Sequence, residues 1–225
     1  MTVPAITGSI VQIGSTSASG SQSITVPSDA TCALLLISYA CIPSSIALSS
    51  ASINSVNFTL TRNNIDVAGL TSTTAWYLLN PATGTRTFAW TWAGDIQAGA
   101  NIFIVFLKDT VTSGNPVTGS GNANGNGGEI TTTSFSSTTN DLCVCVVSSF
   151  SADAIAGGGG QTEVADSTAV GSCEGAVGTK AGVSGTTTMV GNGSLNSIIG
   201  LSVSGSISTY PVAYVIKNAN SVYRM

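Results

Sequence analysis

Side chains able to do chemistry are few in this chain and poorly placed for it. None of its 225 residues is a histidine, so no serine or cysteine has an imidazole base to activate it. The Gly-x-Ser-x-Gly turn that presents a hydrolase serine is also missing. Ten acids exist, yet they form no short cluster from which a paired-carboxylate glycosidase site could be built. Asp95, Asp109, Asp141 and Asp166 fall at the ends of strand-like runs, where a short carboxylate caps a turn by accepting backbone N–H groups. These residues predict no catalytic site.

Metal and phosphate sites fail on the same kind of count. Asn122-x-Asn124-x-Asn126-Gly127 imitates the opening of a calcium loop, but its first ligand is an amide and Thr133 stands where a bidentate glutamate is required. Gly178-Thr179-Lys180-Ala181 lacks the spacing and the hydroxyl of a phosphate loop. Cys32, Cys41, Cys143, Cys145 and Cys173 contain no Cys-x-x-Cys, and zinc would need four well-placed nitrogen or sulfur ligands. They read as small buried apolar residues, with a disulfide between neighbouring strands left open. No metal and no cofactor is expected.

Trp76, Tyr77, Trp90 and Trp92 admit two readings, a platform on which a carbohydrate ring stacks or the anchor of a core. Phe88, Trp90 and Trp92 alternate with Thr87, Ala89 and Thr91, and a period of two sends all three rings to one face of a strand. Core packing is the reading that pattern favours, with Trp76, Phe88, Trp90 and Trp92 as anchors. Residues 75–92 are expected to form a β-hairpin around 80–84, where Pro81 presets a turn and Gly84 supplies a positive φ.

The elements that would position these residues read as strands throughout. Runs near Leu35, Phe103, Val144 and Val212 are apolar on both faces, and no stretch holds a 3.6-residue period over a helical length. Strands at this spacing, divided by Gly, Pro and Asn, predict an all-β antiparallel sandwich, jelly-roll-like, with almost no helix. A two-sheet sandwich needs only its inner faces apolar, so the surplus predicts an outer face covered by long loops or by another subunit.

Residues 24–225 are expected to be a single β-sandwich domain, preceded at 1–23 by an apolar arm on a Gly/Ser-rich tether. The alternative for that start is a first edge strand followed by a loop. Val3, Ile6, Ile10, Val11 and Ile13 of the arm are the candidate contacts to a shell or a second subunit. Residues 114–128, with six glycines and four asparagines, are expected to be a long surface loop.

Charged residues make up 7% of the chain, against roughly 25% in ordinary soluble proteins. Ser, Thr, Gly and Asn must therefore clothe the surface. The net charge of −4 and the scattered basic residues exclude a phosphate-binding patch, so no nucleic-acid partner is expected. The longest apolar run, 32–42, is too short to cross a bilayer as a helix, and the first residues have no signal-peptide pattern. A soluble protein made in a cytoplasm, with no membrane partner, is the expectation.

Three stretches together resemble tailed-phage virion β-sandwich proteins. They are 24–39, Ile-Thr-Val-Pro-x-x-Ala opening onto an apolar strand; 76–84, Trp-Tyr-Leu-Leu-Asn-Pro-x-Thr-Gly; and 210–219, Tyr-Pro-Val-Ala-Tyr-Val-Ile-Lys-Asn-Ala. The cysteines and the run at 197–203 depart from that pattern. The resemblance implies a non-enzymatic structural protein of capsid decoration, head-fibre or tail-associated type. It carries no catalytic residues over. The expected role is a capsid decoration (cement) protein on the outside of a bacteriophage virion, bound to the shell protein and to copies of itself as a homo-oligomer. A tail- or fibre-associated adhesion module that binds carbohydrate is the alternative.

Overall fold

The computed structural model describes residues 1–40, 46–65, 71–94, 99–150, 157–193 and 196–206. All regular structure in them is strand, paired antiparallel into several sheets of a β-sandwich type. The first ten strands are β1 (Ala5–Ile6), β2 (Val11–Ser15), β3 (Ser19–Val26), β4 (Cys32–Ala40), β5 (Leu48–Ile53), β6 (Val56–Asn57), β7 (Thr59–Ile65), β8 (Thr71–Leu79), β9 (Gly84–Trp92) and β10 (Ala100–Lys108). They make two sheets. The first inner sheet runs β10–β4–β8–β7, with β1 and β2 sharing the far edge of β10, and the outer sheet runs β3–β9–β5–β6.

The remaining strands are β11 (Val117–Gly125), β12 (Gly128–Thr131), β13 (Phe135–Ser137), β14 (Asp141–Phe150), β15 (Thr162–Val170), β16 (Cys173–Ala181), β17 (Gly185–Thr187), β18 (Val190–Gly193) and β19 (Asn196–Ser204). The second inner sheet runs β11–β19–β14–β16–β15, and β12–β18 and β13–β17 form two short ribbons.

Alternation along the central strands explains how these layers stack. In β4, Ala33, Leu35, Ile37 and Tyr39 join Phe88, Trp90 and Trp92 in a core beneath the outer sheet. Their neighbours Leu34 and Leu36, with Phe103 and Val105 of β10, meet Val144, Val146, Ile199 and Leu201 of the second inner sheet. The far side of that sheet turns Cys143, Cys145, Val147 and Ile198 toward Ile130, Phe135 and Met189 of the ribbon layer. Four layers result, in the order outer sheet, first inner sheet, second inner sheet, ribbons. The runs around Leu35, Phe103 and Val144 are apolar on both faces because both faces are covered within the chain. Neither loops nor a second subunit are needed for them, and Val212 lies outside the described residues. Each large apolar side chain so buried contributes about 1.5–3 kcal/mol.

The two inner sheets are wound alike. β2–β10–β4–β8–β7 and β11–β19–β14–β16–β15 have corresponding chain orders, and their rungs match. Ser38 pairs with Asn101 and Leu36 with Phe103 in one sheet; Ser148 pairs with Ser197 and Val146 with Ile199 in the other. Even an irregularity recurs. The edge strand β7 bulges between Leu60 and Arg62, beside Ala75, and β15 bulges between Glu163 and Ala165, beside Val177. Residues 11–108 and 117–204 are thus a structural duplication, packed inner face to inner face.

Several expectations are corrected. Residues 75–92 do not form a hairpin: β8 pairs with β4 and β7, whereas β9 pairs with β3 and β5. Residues 80–83 carry the chain from one sheet to the other, so Trp76 and the aromatic face of β9 look into the same core from opposite sides. The flexible tether is not there either. β2 pairs residue by residue with β10, and the Ser/Gly-rich stretch that follows is strand β3.

The glycine-rich loop at 114–128 is mostly strand β11. Its glycines serve close approach, because a Cβ on Gly121 would lie 2.2 Å from the Thr133 carbonyl oxygen and one on Gly119 2.2 Å from that of Ser136. The chain steps between sheets at Phe58, which is buried, while Val56 and Leu60 are exposed.

Candidate functional surface

Among the described residues no group of three or more acidic, cysteine or histidine side chains could hold a metal ion. Cys32, Cys143, Cys145 and Cys173 are free thiols buried in the layers, and Cys41 lies outside the described residues. Burial pushes the Cys32 and Cys145 thiols up to about 12 and raises Cys143 as well, so these sulfurs stay protonated and unreactive.

Asp141 is buried and fully engaged: its carboxylate accepts the Thr138 N–H at 2.8 Å, the Thr138 hydroxyl at 3.0 Å and the Ser202 hydroxyl at 2.8 Å. That is a turn cap, as its place at a strand start implies. Asp95 lies outside the described residues. The exposed Asp29 accepts the Thr7 hydroxyl at 2.6 Å, and that bond, aided by Lys108, holds its carboxyl below the usual range.

The asparagines that imitate a calcium loop have another use. Asn122 Oδ1 accepts from Nε and Nη2 of Arg62, whose Nη1 donates to Ser120 Oγ at 3.1 Å. Asn64 Nδ2 donates to Asn124 Oδ1 at 2.7 Å and to Ser197 Oγ at 2.9 Å, while Asn122 Nδ2 donates to Asn64 Oδ1 at 2.8 Å. This network ties β7 of one inner sheet to β11 of the other. Lys180 of the phosphate-loop look-alike sits in β16 and donates to the Thr188 carbonyl.

Two of the hollows among the described residues bear on a site. One of about 230 Å³ lies beside β2, β10 and β15, with the amides of Gln12 and Asn101 spent on the Asp166 and Cys173 carbonyls. The other, of about 260 Å³, is lined largely by Met1, Val111, Asn140 and Gly205. Neither contains a reactive group free to act.

The aromatics do not form a sugar platform. Phe88, Trp90 and Trp92 are buried, with Tyr39 tilted against Trp92 at 5.0 Å and Phe88 stacked on Trp90 at 5.5 Å. Trp76 is half-buried against the same core, and its indole donates to Thr74 Oγ1 at 2.9 Å. Tyr77 packs on the opposite side of β8, against the core between the inner sheets. The apolar residues of the N-terminal segment are mostly spoken for. Ile13 is in the core, Val11 packs on it, Ile6 and Ile10 pack against the inter-sheet core, and Val3 alone of the five is exposed.

What the chain offers outward is the solvent face of the outer sheet. On β3 the exposed hydroxyl side chains are Ser19, Ser21, Ser23 and Thr25, with Gln22 also exposed among them; on β9 they are Thr85, Thr87 and Thr91. Pairing sets them in ranks, Ser19 beside Thr91, Ser23 beside Thr87 and Thr25 beside Thr85, with Ser50 of β5 continuing the first rank. The face carries hydroxyls and no charge. Sequence reasoning passed over it, although it is the complement of the aromatic alternation in β9, because residues 19–23 read as tether. Comparison of the chain with protein-family models, with curated proteins and with solved structures returns no match.

Proposed function

We propose that the chain is a non-enzymatic structural protein of a tailed-phage virion, a decoration protein attached to the outside of the capsid shell. The strand order carries this reading. Counting β2, β3, β4, β5, β6, β8, β9 and β10 as one to eight and leaving aside β1 and β7 at the sheet edges, the facing sheets run 1-8-3-6 and 2-7-4-5, an order that supports a jelly-roll reading of the sandwich. Viral capsid and lectin domains share that architecture, so the support is a fold-level likeness joined to the sequence resemblance.

The hydroxyl face supplies the mechanism. A flat, uncharged rank of serines and threonines lies flush against another protein surface without a charge to desolvate, exchanging water for protein hydrogen bonds at small net gain per contact. Repetition over a symmetric shell turns such modest contacts into firm attachment. The chain is made in the host cytoplasm and joins the particle from outside. Attachment by an apolar arm, expected at first, is replaced by this face, since four of the five arm residues are engaged internally.

Antibody labelling and protein quantification on purified particles test the reading. Dense, regular labelling of the head is the expected result. Absence from particles overturns it, and a few copies on the tail together with glycan-array binding replace it with the adhesion reading.

A further inference from the structure

Sheet edges expose unpaired N–H and C=O groups, and folded proteins guard them. Among the described residues every long edge but one is guarded. β6 has two residues, and the ribbon strands have four or fewer. β7 bulges and carries Arg62; β11 bulges and receives the Thr133 N–H at the Asn122 carbonyl. β15 has two register shifts and carries Glu163 and Asp166. β1 and β2 divide one edge between a two-residue and a five-residue piece.

β3 has no such device. It is eight residues long, pairs with β9 without a register shift, and contains neither a charge nor a proline. Ser21, Gln22 and Ser23 at its middle are all exposed.

The direction of its free groups follows from one bond. The Trp92 N–H donates to the Ala18 carbonyl at 2.7 Å, so even-numbered residues of this strand turn their main-chain groups toward β9. Ser19, Ser21, Ser23 and Thr25 then turn theirs to the open edge. This set is symmetric about Gln22.

We propose that β3 pairs with β3 of a second copy, antiparallel about a two-fold axis through Gln22. Ser21 then faces Ser23 of the second copy and Ser19 faces its Thr25, with about eight main-chain hydrogen bonds exchanged. A second copy is the occupant because this register satisfies both edges at once, keeps every hydroxyl on the same side, and brings no like charges together. The two outer sheets become one eight-stranded sheet with a doubled hydroxyl face. The pairing stands or falls independently of attachment to a virion.

Sedimentation equilibrium of the full chain, together with oxidative cross-linking, tests it. The wild type is expected to dimerise. Ser21→Lys/Ser23→Lys, at exposed positions, should weaken dimerisation at least tenfold with an unchanged circular dichroism spectrum. In a Cys41→Ser background, Gln22→Cys should give a covalent dimer on mild oxidation where the background alone gives none, since non-hydrogen-bonded partners lie about 4.5 Å apart at Cα. A wild type that stays monomeric at high concentration, a dimer indifferent to the lysines, or a dimer that Gln22→Cys fails to link would each overturn the pairing.

Discussion

Ser38 and Ser148 meet with their hydroxyl oxygens 3.1 Å apart at the interface of the inner sheets, and they occupy the same rung of two strands that are wound alike. The Ser38 hydroxyl also lies 2.7 Å from the Glu174 carbonyl, and Cys173 Sγ lies 3.1 Å from it. A small polar knot thus sits where both copies of the duplicated unit contribute the same residue.

Because both side chains are fully buried, removing either oxygen leaves its partner short of a bond. Ser38→Ala and Ser148→Ala are each expected to cost about 1–2 kcal/mol in urea denaturation. The double variant should fall short of the sum by about 1 kcal/mol, as expected for groups in one network. Strict additivity would show that the two hydroxyls do not interact.

Gly121 and Gly94 should respond oppositely to the same methyl group. A Cβ at Gly121 meets the Thr133 carbonyl at 2.2 Å, whereas one at Gly94 comes no nearer than 3.7 Å to Ile46. Gly121→Ala is expected to destabilise by about 1–3 kcal/mol through overpacking. Gly94→Ala should be neutral or stabilising by about 0.5 kcal/mol through the unfolded chain. Thermal melts of both variants decide this, and equal effects would return β11 to the status of a loose loop.

Arg62 holds Asn122 and Ser120 with a planar fork that lysine lacks. Arg62→Lys should therefore cost about 1–2 kcal/mol despite the conserved charge. Since the asparagine amides are committed to this network, millimolar calcium should leave the melting temperature of the wild type unchanged. A calcium-dependent rise would restore the ion-binding reading of residues 122–127.

The buried thiols predict a one-sided pH dependence. Burial raises Cys32 and Cys145 from the ordinary 9.0 to about 12 and raises Cys143 in the same direction. A folded-state value above the unfolded one means that the unfolded chain loses its protons first as pH climbs. The thiol contribution is intact below pH 9 and is lost between 9 and about 12. Denaturation midpoints should fall across that window and be insensitive to the thiols below it. In a Cys41→Ser background, a thiol reagent at neutral pH should modify nothing until denaturant is added.

Much of the fold is legible in the residues, and its failures are specific. β4 and β10 announce themselves because both of their faces are apolar, and Phe88, Trp90 and Trp92 announce the inward side of β9. Alternation reveals which face of a strand is buried but not which strand lies beside it. That is why β8 and β9 read as a hairpin although they belong to different sheets. β3 and β11 were hidden by composition, since serine and glycine look the same in a tether as in an edge strand crossed closely by another segment. The duplication was invisible because Phe103 answers to Ile199 and Ala75 to Val177, equivalent in burial but not in identity. The hydroxyl face was written in β9 all along, as the residues left over once its aromatics are assigned.

The matched inner sheets have a consequence for solubility. Either half by itself would show water a broad greasy flank that the other half now hides, so neither is expected to dissolve as a lone molecule. Carried on one chain, the two flanks meet without any dependence on concentration.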